Sequence, residues 1–320
     1  MTGRRLTDVG PATGRPSPGR VLVVGDLVTD VVAVLTTPLA AGTDTAGGIR
    51  FTGGGQAANT AAWLASQGVP VTLVAAAGAD DLGDIRLAEL AEAGVDLAVR
   101  RCPGTATGTV IVLAHGEQRS MVADRGANLS LRAGDVDDAV ALFPDATHLH
   151  LSGYPLLHPH SREAGRHALV AARSHGMSTS VDAASAAPLL DAGPARFLDW
   201  VRGTDLLLAN LDEATALGLA DGLPTPAPVR RLVVKRGSGG AVWHEPATVV
   251  SAAATTVPVV DPTGAGDAFA AGLLAAWLAG DDPVTALAAA GRAGATAVGV
   301  IGARPVRRGG SGFDVDDADR

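Results

Sequence analysis

Short apolar runs separated by helix-length segments dominate this 320-residue chain, and they restrict its fold more than any other feature. The runs are "VLVVGD" (21–26), "VTLVAAAG" (71–78), "THLHLS" (147–152), "MSTSVDA" (177–183), "DLLLAN" (205–210) and "RLVVKRG" (231–237). Apolar runs of this length read as strands buried on both faces. Helices are predicted over "GGGQAANTAAWLASQG" (53–68) and "DLGDIRLAELAEAG" (81–94), each closed by glycine, and over 158–175, 193–202 and 211–219. A hairpin near 241–251 and a further Ala-rich helix at 283–299 complete the pattern. Such alternation specifies an α/β, three-layer sandwich: a mostly parallel central sheet with helices on both faces.

Two segments depart from it. Residues 30–52 and 95–123 read as a small β-rich insertion without intervening helices, with short strands at "VDLAVRR", "GTVIVLAH" and "RSMVAD". The expected organisation is therefore a disordered leader over 1–19, one domain over 20–305, and a disordered tail over 306–320. The leader has arginines but no apolar core, so it does not read as a secretion signal. No run is long enough to span a membrane. Cys102 is the sole cysteine, which excludes an intramolecular disulfide and fits a cytoplasmic setting. A net charge of −8 provides no general attraction for nucleic acid or an anionic membrane. An anionic ligand must be held by local devices.

Three glycine-rich turns qualify. "VVDPTGAGDAFAAG" (259–272) reads as a short strand, a turn and a helix whose mouth carries Asp267. Gly264, Ala265 and Gly266 would turn backbone N–H groups and the positive end of the helix dipole outward. Asp261 and Thr263 place a second carboxylate and a hydroxyl at the same strand end, where open α/β sheets bind ligands. Gly53-Gly54-Gly55 leads into a helix, but "RFT" is a poor preceding strand and the acid of a dinucleotide fingerprint is missing. "KRGSGGAVW" (235–243) reads as a hairpin turn. A Walker loop is excluded, because Lys235, the sole lysine, is followed by Arg236.

Taken together, these residues resemble the PfkB, or ribokinase-like, carbohydrate kinases over about residues 20–304. "GGGQAANTAAWLASQG" is similar to the family's N-terminal glycine pair followed by Asn, here Gly54, Gly55 and Asn59. "DPTGAGDAFAAGLLAAWLAG" is similar to its DTxGAGD signature, with Pro262 replacing the usual Thr. Asn210-Leu211-Asp212-Glu213 fits its NxxE. The resemblance implies a ribokinase-like sandwich with a β-rich lid, which in many members also pairs two subunits. It implies an enzyme using ATP and Mg²⁺ to phosphorylate a primary hydroxyl of a small sugar: ribose-like, hexose or keto-deoxy sugar acid. Asp267 would be the base, and the 264–266 turn the anion hole. Asp30, Gly54, Gly55 and Asn59 would hold the sugar. Asn210, Lys235, Gly237, Ser238 and Gly240 would face the nucleotide, with the 283–299 helix. Asn210 and Glu213 would act on Mg²⁺ through water. Asp261 and Thr263 match positions that bind a monovalent cation such as K⁺ in the ribokinase branch.

The chemistry is coherent. Phosphoryl transfer asks a protein for positioning and charge stabilisation. An aspartate with an ordinary pKa is ionised at neutral pH and can take a proton. Some ribose contacts are absent: Val28 stands where ribokinases carry Asn, and Ser152, Gly153 and Tyr154 stand where they carry a Glu. A nucleoside acceptor and a non-catalytic sugar- or nucleotide-binding regulator are the alternatives, with the intact Asp267 speaking against the second. His148, His150, His158 and His160 do not complete a metal set. Asp80, Asp81, Asp281 and Asp282 read as helix-start acids. Arg119 and Arg125 reach a phosphate or sugar, or are exposed lid arginines, and Tyr154 either stacks on a ligand or belongs to the core.

Overall fold

The computed structural model describes residues 18–115, 118–224 and 227–305, so nearly all of the expected leader and the whole of the expected tail lie outside the described residues. In chain order, β1 (Arg20–Val24) is followed by β2 (Val28–Leu35), β3 (Gly47–Gly54), α1 (Gln56–Ser66), β4 (Val71–Gly78), α2 (Asp81–Glu92) and β5 (Asp96–Cys102). Next come β6 (Gly108–His115), β7 (Gln118–Asp124), α3 (Ala133–Leu142), β8 (Ala146–Ser152), α4 (Tyr154–Leu157), α5 (Arg162–Ser174) and β9 (Ser178–Asp182). Then follow α6 (Ala186–Ala192), α7 (Pro194–Trp200), β10 (Leu206–Asn210), α8 (Leu211–Ala216) and β11 (Leu232–Lys235). The last elements are β12 (Ala241–Glu245), β13 (Thr248–Ala252), α9 (Ala265–Leu278) and α10 (Pro283–Val298).

Nine strands form the main sheet in the order β13-β12-β11-β10-β9-β8-β1-β4-β5. It is parallel from β11 to β5, with β12 and β13 antiparallel at one edge. Each buried strand feeds both faces. Leu22 and Val24 of β1 enter a core with α3, α5 and α7, while Val21 and Val23 enter another with α1, α9 and α10. This is why "VLVV" is apolar without alternation. α9 is built of small residues because it lies in the middle of its layer: a Cβ on Gly272 would meet the Ala293 Cβ of α10 at 2.8 Å.

A second sheet, β3-β2-β6-β7, joins the main one through the β1–β2 and β3–α1 connections. Its composition corrects the sequence reading. Asp96–Cys102, assigned there to the insertion, pairs parallel with β4 and forms the edge of the main sheet. The reason is the preceding helix: β4, α2 and β5 make one more right-handed crossover unit. Residues 50–52, dismissed as a poor strand, belong to β3, whose backbone pairs antiparallel with β2 from Val28↔Gly54 to Leu35↔Gly47. The strand expected at Val259-Val260 is absent. Both side chains are exposed, and the Val260 and Asp261 amides donate to the Val298 carbonyl at the end of α10. No described helix is long and apolar enough to cross a membrane.

Candidate active site

The start of α9 is held by a residue that has to be glycine. Gly264 has φ 75°, the left-handed region, and a Cβ there would lie 2.5 Å from the Ala303 Cα. Ala303 is gripped from its other side by Trp63, whose Nε1 donates to its carbonyl at 3.0 Å. Of the two amides expected to form an anion hole, that of Ala265 makes a long 3.3 Å bond to the Pro262 carbonyl. The Gly266 amide belongs to the first helical turn, which has no intrahelical acceptors.

Asp267, also in that first turn, is half-buried. Asn59 of α1 donates through Nδ2 to Asp267 Oδ2 at 2.9 Å. Burial pushes the Asp267 carboxyl up to about 8; the Asn59 bond works against this, nearby Asp182 adds to it, and Lys235 opposes it. The sequence-based expectation of an ordinary, fully ionised aspartate is thus overturned by its enclosure.

Asn59 belongs to a chain that sequence reasoning missed. Arg304 donates from Nε to Asn59 Oδ1 at 3.2 Å, from NH2 to the Gly54 carbonyl at 3.0 Å, and from NH1 to Glu89 Oε2 at 3.2 Å. Burial lowers its pKa to about 10. Asp30, on β2, lies directly over Gly54, where a Cβ would sit 2.3 Å from its Oδ2. Burial raises the Asp30 carboxyl to about 6, with Arg304 opposing. The predicted acceptor residues Asp30, Gly54 and Asn59 are therefore brought together. Gly55 serves the backbone instead: at φ 98° it lies so close to the Asp26 carbonyl that a Cβ would approach it to 2.5 Å.

On the other side of Asp267 is Lys235, whose Nζ donates to Asp182 Oδ2 at 2.7 Å. Burial disfavours its charge, yet Asp182 and Glu213 outweigh burial and hold its pKa above the ordinary value. Gln56 Nε2 donates to Asp182 Oδ1 at 3.0 Å, and Ser152 Oγ donates to Gln56 Oε1 at 2.7 Å. Ser152 also lies 3.1 Å from Asp26, whose carboxylate accepts from the Gln56 and Ala57 amides. Arg125 stands 3.9 Å above the Tyr154 ring and 3.7 Å from Asp26, so both residues face this cluster. The Arg119 side chain lies outside the described residues.

Asn210 and Glu213 bind each other. Asn210 caps α8, accepting from the Glu213 amide at 2.8 Å, and both Glu213 oxygens accept from Asn210. Burial raises the Glu213 carboxyl to about 7, opposed by Lys235. With its oxygens so engaged, this pair can meet a metal only through water. Asp261 accepts from the Thr263 amide and hydroxyl at 2.9 and 2.6 Å, and from the Gly302 amide at 3.0 Å. Its carboxylate thus ties the 261–263 turn to the segment carrying Arg304.

A cleft of about 410 Å³ opens beside these groups. The predicted Lys235, Gly237, Ser238 and Gly240 line one wall, and Gly291 and Val298 of α10 another. Ala265 and Gly266 are at its inner end. The cleft is largely apolar and reaches the first turn of α9, a helix N-terminus of the kind that binds anions.

The two histidines of β8 lie away from the site, whereas His158 lines a small pocket with Asp26, Arg125 and Tyr154. His148 and His150 are fully buried on β8, bonded to Ser178 and Ser180. Burial lowers them to about 3 and 4, so they are neutral strand residues. Among the described residues no group of three or more His, Cys, Asp or Glu could hold a metal ion. Asp80 and Asp282 cap α2 and α10, as expected of helix-start acids.

Residues 19–307 match the pfkB family carbohydrate kinases. The chain belongs to that family. It is a kinase of carbohydrates, and the ribokinase-like sandwich expected from the sequence is present. The kinase is 33% identical over 294 residues to the ATP-dependent ribose-1-phosphate kinase of Halopiger xanaduensis, covering 89% of this chain and 94% of that one. Among solved structures, adenosine kinase from Sinorhizobium meliloti superposes with a TM-score of 0.80 at 25% identity, covering 91% and 97% of the two chains. A putative ribokinase II from E. coli in complex with ATP and Mg²⁺ gives a TM-score of 0.75 at 27% identity, covering 89% and 94%.

Proposed function

We propose that this kinase transfers the γ-phosphate of ATP to a primary hydroxyl of a small sugar, with Asp267 as the base. The observation that carries the reading is the position of Asp267: it stands where the nucleotide-sized cleft meets the Asp30–Gly54–Asn59 cluster. The acceptor hydroxyl gives its proton to Asp267 as its oxygen attacks the γ-phosphorus. The bond from that phosphorus to the β-γ bridging oxygen breaks, and ADP leaves. The Gly266 amide and the Lys235 ammonium stabilise charge on the phosphoryl oxygens. Asn210 and Glu213 are the residues that would hold Mg²⁺ through water, and the ion would supply neutralisation of the phosphate charge. Asp261 and Thr263 are the candidate residues for K⁺, read as stimulation of the rate by potassium over sodium. Burial of the single thiol, Cys102, is in keeping with a reducing cytoplasm.

Unpartnered Arg86 donors favour an acceptor bearing an anion, with ribose 1-phosphate placed first. Arg86 is buried and Arg304 half-buried beside Asp30, and they share Glu89 as ion-pair partner. Two Arg86 nitrogens have no hydrogen-bond partner. Asp30 and Glu89 balance the two arginine charges, so it is these unpartnered Arg86 donors that an anionic acceptor group would satisfy. A nucleoside acceptor is supported by the adenosine kinase likeness, although one face of Tyr154 is already covered by Arg125.

The test is ATP consumption with ribose 1-phosphate, ribose, hexoses, keto-deoxy acids and adenosine. The expected outcome is preferential turnover of a phosphorylated or acidic sugar. Asp267→Asn should lower kcat by about 10²–10⁴ without weakening ATP binding. Retention of most of the rate would sink the base assignment. Binding of sugar and ATP without turnover of any acceptor would favour a regulator.

A further inference from the structure

The Asn59 amide can present either its oxygen or its NH₂ group to Asp267, and the two orientations have opposite consequences. An NH₂ group donates to the carboxylate and supports its ionised form. An oxygen accepts from the carboxylic acid and supports its protonated form. We propose that Arg304 is a positioning residue for the phosphotransfer base, acting through Asn59 to set which oxygen of Asp267 receives the acceptor's proton.

A guanidinium can only donate, so its Nε, 3.2 Å from Asn59, requires the amide oxygen to face it. Nδ2 is then obliged to face Asp267, and it occupies Oδ2 at 2.9 Å. Oδ1 is left for the acceptor hydroxyl. Arg304 is itself fixed at both flanks, to the Gly54 carbonyl and to Glu89, and its neighbour Ala303 is clamped between Gly264 and Trp63. The same short segment therefore backs the phosphate turn and orients the base. The other ionisable groups acting on Asp267 are Asp182 of β9, Lys235 of β11 and Asp26 after β1, with Tyr154 of α4 also coupled to it. None of them touches the Asn59 amide, so Arg304 controls its orientation.

The inference rests on the kinase reading for its effect on rate, but its effect on Asp267 can be measured separately. Carboxyl ¹³C NMR titration of the free protein, with the Asp267 signal assigned from Asp267→Asn, should show Asp267 titrating about one pH unit higher in Arg304→Met than in wild type. In turnover, the rising limb of kcat/KM against pH should move by the same amount. That is about a tenfold loss well below the limb and little loss above it. Arg304→Lys, which keeps one donor, should fall between wild type and Met. Asn59→Ala should reproduce the shift, and Arg304→Met should add nothing to it. Glu89→Gln, which removes the charge paired with Arg86 and Arg304 but keeps an acceptor for both and leaves the Arg304–Asn59 bond intact, should leave the titration unchanged. An unaltered Asp267 titration in Arg304→Met, or full additivity with Asn59→Ala, would overturn the proposal. A raised acceptor KM with the pH profile in place would do the same, assigning Arg304 to substrate contact. If the wild type phosphorylates nothing, the kinase reading fails and the NMR titration still decides the Arg304–Asn59–Asp267 coupling.

Discussion

The raised pKa of Asp267 limits its action as a base at neutral pH and costs stability at high pH. With its carboxyl at about 8, the free enzyme holds a proton there at neutral pH, and kcat/KM should climb with pH to a plateau above 8. A profile that is flat from pH 6 to 9 would contradict this. The folding consequence has the opposite sign. The ordinary value of 3.8 applies in the unfolded chain, so between about 4 and 8 the folded state binds a proton that the unfolded state does not. Stability due to this group therefore falls as pH rises through that window, and the cost is fully present above 8. Asp267→Asn removes it. The variant should melt several degrees higher than wild type at pH 8.5, and the two should converge toward pH 4. Of the residues around Asp267, those in local motifs were legible in the sequence, because Asn59 and the 264–267 turn each sit at a glycine-marked helix start. Arg304 was not legible. It lies 245 residues from Asn59 in an unremarkable "GARP", and only the packing of the last segment against α1 brings them together.

Among the elements, α9 depends most on one backbone conformation. Gly264→Ala faces both a left-handed φ and a Cβ inside van der Waals contact with Ala303. It should cost about 1–3 kcal/mol of stability, and should reduce kcat far more than its effect on melting accounts for, because the same shift misaligns Gly266 and Asp267. Normal kcat in a destabilised but folded variant would show that the turn tolerates displacement. The glycine turns and helix caps of the main sheet were readable in advance because each is a local event. Strand membership was not. "VDLAVRR" and "GTVIVLAH" are both β-branched runs flanked by turn residues, and nothing within either says which sheet it joins. The pairing of Thr72 with Asp96 assigns the first, and that of Val28 with Gly108 assigns the second. The missing strand at Val259-Val260 has a similar origin: two exposed valines mimic a buried run.

For the molecule as a whole, the outer face of the small sheet is unusual in being apolar. Phe51, Val31, Ile111 and Val122 stand in register in one row across β3, β2, β6 and β7. Phe51 and Val122 are each 62% exposed. A row of this kind supports the homodimer that the sequence resemblance implies, each copy covering the other. Light scattering should give twice the chain mass for wild type and the monomer mass for Phe51→Glu/Ile111→Glu. A wild-type monomer at micromolar concentration would remove the proposal. The two sheets also divide the chemistry between them. Asp30 is carried by β2 of the small sheet, whereas Asp267 and the nucleotide cleft belong to the helices and loops of the main body. A sugar long enough to touch both acids spans the gap between two structural bodies, and a water molecule cannot. Under the proposed assignment the acceptor would bridge the two sheets, and a truncated acceptor that cannot reach Asp30 should be phosphorylated more slowly.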